Sequence, residues 1–446
     1  MLTDTGLPGP VSAEGLRQRV GEFLAGHDPA AMPRLEFLRA RFDGGLAAVH
    51  YPPGLGGLGL PRALQGVVDA EFAAAGAPTN SPERIGIGLG MAAPTILAFG
   101  SDEQKARWLR PLWTGEEVWC QLFSEPGAGS DLAGLATRAV RDGGDGASQS
   151  PAGQDGASQS PAGQDGTGQA TAARGGAEQA GAARGGADRW VVNGQKVWTS
   201  MAHEARWGLL VARTDPDVPK HAGLTYFACD MTDPGVEVRP LRQLTGEAEF
   251  NEVFLTGAVI PDRDRIGAVG EGWRVAQGTL MNERVSIGGT AVPREGGMIG
   301  PAAATWREHA ELRTPGLHDR MLRLWADAEV ARLASERLRQ QLAAGHPGPE
   351  GSAAKLVFAR LNQEITSFEV ELAGAGGLRY EDWTMRRPGS VSFYGRDAGY
   401  RYLRARGNSI EGGTSEILRN IIAERVLGLP TEPRADTRVP WKDLPR

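Results

Sequence analysis

The sequence predicts an α+β chain of several domains: an N-terminal helical domain (1–116), a middle antiparallel β domain (117–262) and a C-terminal four-helix-type bundle (263–446). Apolar residues recur at helical spacing toward both ends of the chain. Short apolar runs separated by turn residues fill the middle. The length of 446 residues suits two or three folding units of about 100–200 residues each.

In the first region Leu16, Val20, Phe23 and Leu24 recur at helical spacing, and Phe37, Leu38, Arg41 and Phe42 do so less regularly. YPPGLGGLGLP, residues 51–61, reads as a loop from its Pro and Gly content. Helices resume at residues 63–75 and 85–99. Ser101 with Gln104 three residues on is a capping-box pattern opening a helix that runs to Leu109.

In the middle region Val118, Trp119, Leu122 and Phe123 form a short apolar run. Trp190-Val191-Val192, Asn193-Gly194 and Lys196-Val197-Trp198 read as strand, two-residue turn, strand. Further strands are expected at 208–213, 224–230, 236–240 and 251–259. Residues 141–189 interrupt this pattern. They contain no Val, Ile, Leu, Met, Phe, Trp or Tyr, and they repeat GASQSPAGQD at 146–155 and 156–165. A segment without apolar side chains cannot offset its ordering entropy, so it is expected to be a disordered insertion in a hairpin loop. It also lowers the hydrophobic fraction, which is 41%. The last region carries helical patterns at 272–287, 320–342, 352–372 and 417–426, with Leu322, Ala326, Val330 and Leu333 on one face, as bundle helices require.

Composition excludes some functions. A net charge of −6 with no basic run argues against nucleic-acid or anionic-membrane partners. Cys120 and Cys229 are too few for a secreted disulfide scaffold, the N-terminus lacks a secretory pattern, and no stretch of about 18 apolar residues occurs. A cytoplasmic location is therefore expected. The seven histidines have no metal-ligand spacing, and no metal site is expected.

Three segments carry candidate chemistry. QLFSEPGAGSD (121–131) follows an apolar strand, offers the hydroxyls of Ser124 and Ser130, and contains glycines that admit close backbone approach; it reads as a ligand loop or as a tight turn. In KVWTS (196–200) a strand Trp is either core or a stacking partner for a planar ligand. SIEGGTSEILRNIIAERVLGLP (409–430) is a Gly- and Thr-rich loop opening a helix, whose unpaired N–H groups suit a phosphate-bearing ligand.

Together, and in this order, these segments resemble the signatures of the FAD-dependent acyl-CoA dehydrogenases; FGSDEQKARWL (99–109) extends the resemblance toward the N-terminus. The resemblance implies that Gln121, Phe123, Ser124 and Gly129 lie along the flavin, and that Ser130 touches both flavin phosphate and acyl-CoA. It implies Trp198 against the flavin face, with Thr199 and Ser200 following, and Thr414 and Glu416 at positions that meet FAD. ELAGAGG (371–377) stands where the family has a Gly-Gly loop contacting the FAD of a neighbouring subunit, which nominates Glu371, in place of the usual Gln, and Gly374. The family's FAD-adenosine loop is replaced here by ELRTPGLHDRM (311–321), in which Arg320 is a candidate substitute for its arginine.

The implied reaction is α,β-desaturation of an acyl thioester, which needs a carboxylate base for the α-proton. In many members that base directly precedes the Gly-Thr of the closing motif, but here the position is Gly412, and a glutamate, Glu411, stands one residue earlier. Other members use a Glu before an Arg in the first helix after the β domain, which Glu283-Arg284 matches. Helical spacing puts Glu283 beside Ala276, Leu280 and Ile287, a face that would desolvate it. Glu283 is preferred as base over Glu411, and a chain without a base stays open; Arg284 would orient the carboxylate or bind near the thioester. The resemblance further implies a role in fatty acid or lipid metabolism, an electron-transferring flavoprotein as acceptor, and a homo-oligomer, a tetramer in the family's manner, or a mixed complex. A flavin monooxygenase or oxidase on the same fold, or a non-catalytic partner subunit, remain alternatives.

Overall fold

The structure, a computed structural model, describes residues 12–142, 188–288, 293–343, 350–380, 382–390, 396–434 and 436–445. Helix α1 (Ala13–Gly26) begins where the Ser12 hydroxyl accepts the Gly15 amide. It is followed by α2 (Arg34–Asp43), α3 (Gln65–Ala74), α4 (Pro82–Ile87), α5 (Ala93–Phe99) and α6 (Asp102–Thr114). Leu16, Val20, Phe37, Val68 and Phe72 close a small core among α1, α2 and α3. The Ser101–Gln104 capping box is formed, and Gln104 also donates to the carbonyls of Arg263 and Arg265. The single helix expected at 85–99 is instead α4, a π-turn at Gly88–Ala92, and α5. At the π-turn Gly88 sits where a Cβ would lie 3.3 Å from Leu112.

Strands β1 (Trp119–Leu122), β2 (Arg138–Arg141), β3 (Arg189–Ser200), β4 (Trp207–Arg213), β5 (Leu224–Asp230), β6 (Val236–Pro240) and β7 (Phe250–Pro261) form one curled sheet. Its order is β1-β4-β2-β3-β7-β6, with β5 on β4. Most pairs are antiparallel, but β4 runs parallel to β1 and, at Arg138–Arg213, to β2. Cys120 and Cys229 stand opposite Gly208 on either side of β4, so a strand separates them and both are free.

The Asn193-Gly194 hairpin turn does not exist. β3 runs through it, paired with β7, and at the register shift beside it the extra residue is Gly257 of β7, a bulge opposite Val192 and Asn193 with φ +68°. The Asn193 Oδ1 accepts the Gly257 amide at 2.8 Å, and a Cβ at Gly194 would lie 2.3 Å from the Thr137 hydroxyl. Side-chain bonding and a close crossing thus use the residues that turn chemistry would use elsewhere. The true hairpin joins β2 to β3: Arg141 pairs with Trp190, and the Asp142 amide donates to the Arg189 carbonyl. Positions 141, 142, 188 and 189, counted in the insertion from sequence, belong to this hairpin; the rest of that expectation, 143–187, lies outside the described residues.

The last region comprises α7 (Gly272–Gly288), α8 (Ile299–Glu308), α9 (Pro315–Ala343), α10 (Glu350–Leu372), α11 (Ala398–Ala405) and α12 (Ser415–Arg425). Met321 and Leu324 of α9 pack with Leu361, Ile365 and Phe368 of α10. The α9 face predicted for the bundle points the other way: Leu322, Ala326, Val330 and Leu333 are exposed. The spacing is that of an apolar stripe, but the helix buries the adjacent stripe. Among the described residues no helix is long and apolar enough to cross a membrane.

One core joins all three regions. Phe42, Ile96 and Trp108, then Trp119, Leu209 and Tyr226, then Val275 and Ala276 share it. Burial of each Leu, Ile or Phe here contributes about 1.5–3 kcal/mol. Inside it the Thr279 hydroxyl meets the Thr95 hydroxyl at 2.9 Å and the Tyr226 hydroxyl at 3.0 Å. This contact ties α7 to both α5 and β5 one turn before Glu283.

Candidate active site

A cavity of about 2430 Å³ lies between the sheet and the C-terminal helices. Single-ligand pockets run to about 1,000 Å³, so it has room for more than one ligand group. Its β wall carries Gln121, Phe123, Ser124, Gly129, Ser130, Trp198 and Ser200. Beneath this wall the Lys196 ammonium, fully buried, donates to the Phe123 carbonyl (3.0 Å), the Val211 carbonyl (2.9 Å) and the Glu125 carboxylate (2.8 Å). Glu125 also accepts the Ala136 and Thr137 amides at 2.7 and 3.0 Å. Burial pushes the Glu125 carboxyl up, but Lys196 and these amides outweigh it and hold the group below its ordinary value. The pair fixes the backbone on both sides of Ser124.

Trp198 sits at a second register shift of β3, between Lys196 and Thr199, with φ +60°. A bulky residue rarely adopts this backbone, and such strain gathers at functional positions. The bulge leaves the indole 55% exposed on the cavity, held edge-on by Phe250 at 5.8 Å. Thr199, nominated for cofactor binding, turns inward instead: it is fully buried and absent from the lining, because it alternates with Trp198 and Ser200, which both face the cavity.

The helical wall carries Trp273, Gln277, Leu280 and Glu283 from α7, and residues 410–414 from the closing turn. Glu283 is half-buried, beside Leu280 and one turn after Thr279. The Arg284 side chain lies outside the described residues. In the closing turn, Glu411 accepts Arg404 Nη1 and Nη2 at 3.1 and 3.0 Å and Asn408 Nδ2 at 2.6 Å. Gly412 and Gly413 have φ of +64° and +94°, which favours glycine at both. Buried Lys355 donates to the Gly413 carbonyl at 2.7 Å, and the Thr414 hydroxyl caps α12 by accepting the Ile417 amide. Arg404 also meets Glu249, Nε to Oε1 at 3.1 Å, without hydrogen-bond alignment. Glu249 is almost fully buried, and burial pushes its carboxyl up to about 7.

Glu371, Gly374 and Glu416 do not line this cavity. Glu371 pairs with Arg320, and Glu416 with Arg419 on the exposed side of α12. Sequence reading missed Lys196, Glu125, Lys355, Arg404 and Glu249. A charge inside an apolar strand was the available sign for Lys196, and Glu125 lies inside a motif already singled out; the other three had none.

The comparisons with known proteins follow the same architecture. Three acyl-CoA dehydrogenase domains match in order: the N-terminal domain at residues 14–116, the middle domain at 162–257 and the C-terminal domain at 270–427. The chain is 36% identical over 402 residues to acyl-CoA dehydrogenase IpdE1 of Mycolicibacterium smegmatis, covering 87% of this chain and 86% of that one. This chain belongs to the acyl-CoA dehydrogenase family. It is 38% identical over 421 residues to acyl-CoA dehydrogenase FadE34 of Mycobacterium tuberculosis, covering 93% of this chain and 49% of FadE34, about half of that relative's length. Among solved structures, the ChsE4-ChsE5 complex from Mycobacterium tuberculosis superposes with a TM-score of 0.60 at 25% identity, over 97% of this chain and 100% of that one. An acyl-CoA dehydrogenase from Geobacillus kaustophilus gives 0.61 at 20% identity, over 95% and 99%. Acyl-CoA dehydrogenases are FAD-dependent oxidoreductases acting on CH–CH donors. The cavity fits that cofactor: an exposed indole on strained backbone offers a face to a planar ring, beside the hydroxyl residues Ser124 and Ser200.

Proposed function

We propose that this acyl-CoA dehydrogenase desaturates the Cα–Cβ bond of an acyl-CoA thioester, with Glu283 as the base. FAD, when bound, accepts the hydride that leaves Cβ. Gln121, Phe123, Ser124, Trp198 and Ser200 would hold its ring along the β wall, and Ser130 with Thr414 would serve its phosphate-bearing part or the thioester. Glu283 takes the Cα proton onto its carboxylate. Its helix is pinned by Thr279, so the group is presented from rigid structure, and Leu280 and Trp273 keep water from the reacting carbons.

The observation that carries this choice is the state of the alternative base. Glu411 is engaged by both terminal nitrogens of Arg404 and by Asn408, and acts as an anchor of the closing turn. Gly412, at the position a base would otherwise occupy, has left-handed backbone that disfavours a side chain. An electron-transferring flavoprotein would reoxidise the enzyme.

The test is flavin absorbance of the purified protein, followed by anaerobic addition of acyl-CoA thioesters of varied length and branching. About one FAD per chain and bleaching by at least one thioester are expected. Colourless protein that takes up no FAD would end this reading.

One observation favours assembly with a further subunit. The exposed stripe Leu322, Ala326, Val330 and Leu333 on α9 suits burial against another chain, a second copy or a related one as in the ChsE4-ChsE5 complex. Sedimentation would show which; an FAD-loaded monomer at micromolar concentration would exclude both.

A further inference from the structure

Residues 436–443 lie against the β wall, although they follow the C-terminal helices in sequence. The Trp441 amide donates to the Val218 carbonyl at 2.9 Å, and the Lys442 amide to the Pro216 carbonyl at 3.1 Å. Pro440 forms a bridge with Pro219. The Trp441 indole N–H donates to the Gly134 carbonyl at 3.1 Å, and its ring covers the Arg213 guanidinium at 4.3 Å.

What Trp441 covers is a junction. Buried Arg213 donates to the carbonyls of Ala133 (2.6 Å), Leu135 (3.1 Å) and Lys220 (3.1 Å). It therefore ties the segment following Ser130-Asp131 to the turn between β4 and β5. Asp436 makes a parallel tie: Lys220 Nζ lies 2.6 Å from Asp436 and 2.8 Å from Asp131. Ser130, Asp131, Lys220, His221 and Asp436 all line the cavity. The two loops at the cavity's edge are tied to each other through Arg213 and Lys220, and a segment remote in sequence covers the first tie with Trp441 and shares the second through Asp436. The neighbouring ion pair of Lys442 with Asp217 is half-exposed on both sides and touches neither tie.

We infer that residues 436–443 form a strap that positions the Ser130–Leu135 loop and the Lys220–His221 turn for thioester binding, with Trp441 and Asp436 as positioning residues. The thioester part of this inference rests on the proposed function. The positioning part does not.

The test uses the FAD-loaded enzyme and three variants, Trp441→Ala, Trp441→Phe and Lys442→Ala. Hydrogen exchange of the amides at 130–136 and 219–223 reads positioning directly. Trp441→Ala should accelerate it and raise KM for the best acyl-CoA substrate about five- to tenfold with kcat within about twofold, as loss of one cation–π contact and one hydrogen bond implies. Trp441→Phe keeps a ring over Arg213 and should recover part of the KM. Lys442→Ala should match the wild type in both readouts. Unchanged exchange in Trp441→Ala overturns the strap, whether or not any thioester is found to bind. Faster exchange with an unchanged KM on a bleaching substrate overturns the link to thioester binding. A lower melting temperature with neither readout moved assigns Trp441 to stability alone and overturns the inference entirely.

Discussion

On the β wall, one ammonium, Lys196, faces one carboxylate, Glu125, and both Glu125 oxygens also accept backbone amides. At the helical wall, one guanidinium, Arg404, stands between two carboxylates, Glu411 of the closing turn and Glu249 of the segment entering β7. Glu411 is satisfied by hydrogen bonds, whereas neither Glu249 oxygen accepts one among the described residues. The β wall is thus a closed set of charges that holds a strained strand in one shape. The Arg404 cluster, where the helical wall meets the β domain, has a surplus carboxylate, Glu249, which burial pushes up. Buried ion pairs stiffen both walls, but only the balanced one does so independently of pH near neutrality.

The largest effect that would break this comparison is expected from Lys196→Met. It leaves Glu125 buried without its cation, which costs about 3–5 kcal/mol. Thermal unfolding should show that loss, with FAD retention falling alongside. A shift of under about 1 kcal/mol would mean that the two amides alone satisfy Glu125.

Glu249→Gln sharpens the other half. Burial raises the Glu249 carboxyl to about 7, Arg404 opposes the rise, and Glu411 and Glu247 add to it. The folded value exceeds the ordinary 4.5, so the folded state binds this proton more tightly than the unfolded chain. Its contribution to stability is therefore fully present below that ordinary value and is lost as pH rises toward 7, by up to about 1.4 kcal/mol per pH unit. Glu249→Gln should flatten that segment of the stability–pH curve. An unchanged slope would show that Arg404 keeps Glu249 ionised throughout.

A smaller effect is expected from Trp198→Ala. Loss of an aromatic stacking partner is worth about 0.5–1.5 kcal/mol, so the FAD dissociation constant should rise up to about tenfold while the melting temperature of the apoprotein stays close to wild type. A large drop in apoprotein stability would make Trp198 a structural residue of the bulge.

The element order and most element limits were legible in the sequence. β5 and β6 run as their apolar runs predict, and α10 and α12 are expected within about two residues, because burial periodicity is a local property. Asn193-Gly194 was misread because an Asn that bonds across the ladder to a bulge in β7 and a Gly at a close crossing are the same residues a hairpin turn uses, and only the partner strand decides between them. Thr199 faces away from the cavity because strand alternation puts it opposite Trp198 and Ser200, a pattern that a motif read as a block overlooks. On α9 the visible stripe was real, but its outward direction depends on packing by α8 and α10. The three site segments were legible as motifs, and the structure brings Gln121, Ser124, Ser130, Trp198, Ser200, Glu283, Glu411 and Thr414 around one cavity. The Arg404–Glu249 contact and the Trp441 strap join residues far apart in sequence, so no local pattern announces them.

The assignment of the base is tested most directly by flavin reduction in rapid mixing. FAD-loaded Glu283→Gln and Glu411→Gln would be compared with wild type, using a thioester that bleaches the wild-type flavin. The amide of Glu283→Gln keeps the shape but cannot take the α-proton, so reduction should slow by about 10²–10⁴-fold with thioester still bound. Glu411→Gln should slow it far less, because that residue anchors the turn. The reverse ranking would place the base in the closing turn, and equal, wild-type-like rates in both variants would contradict the account outright.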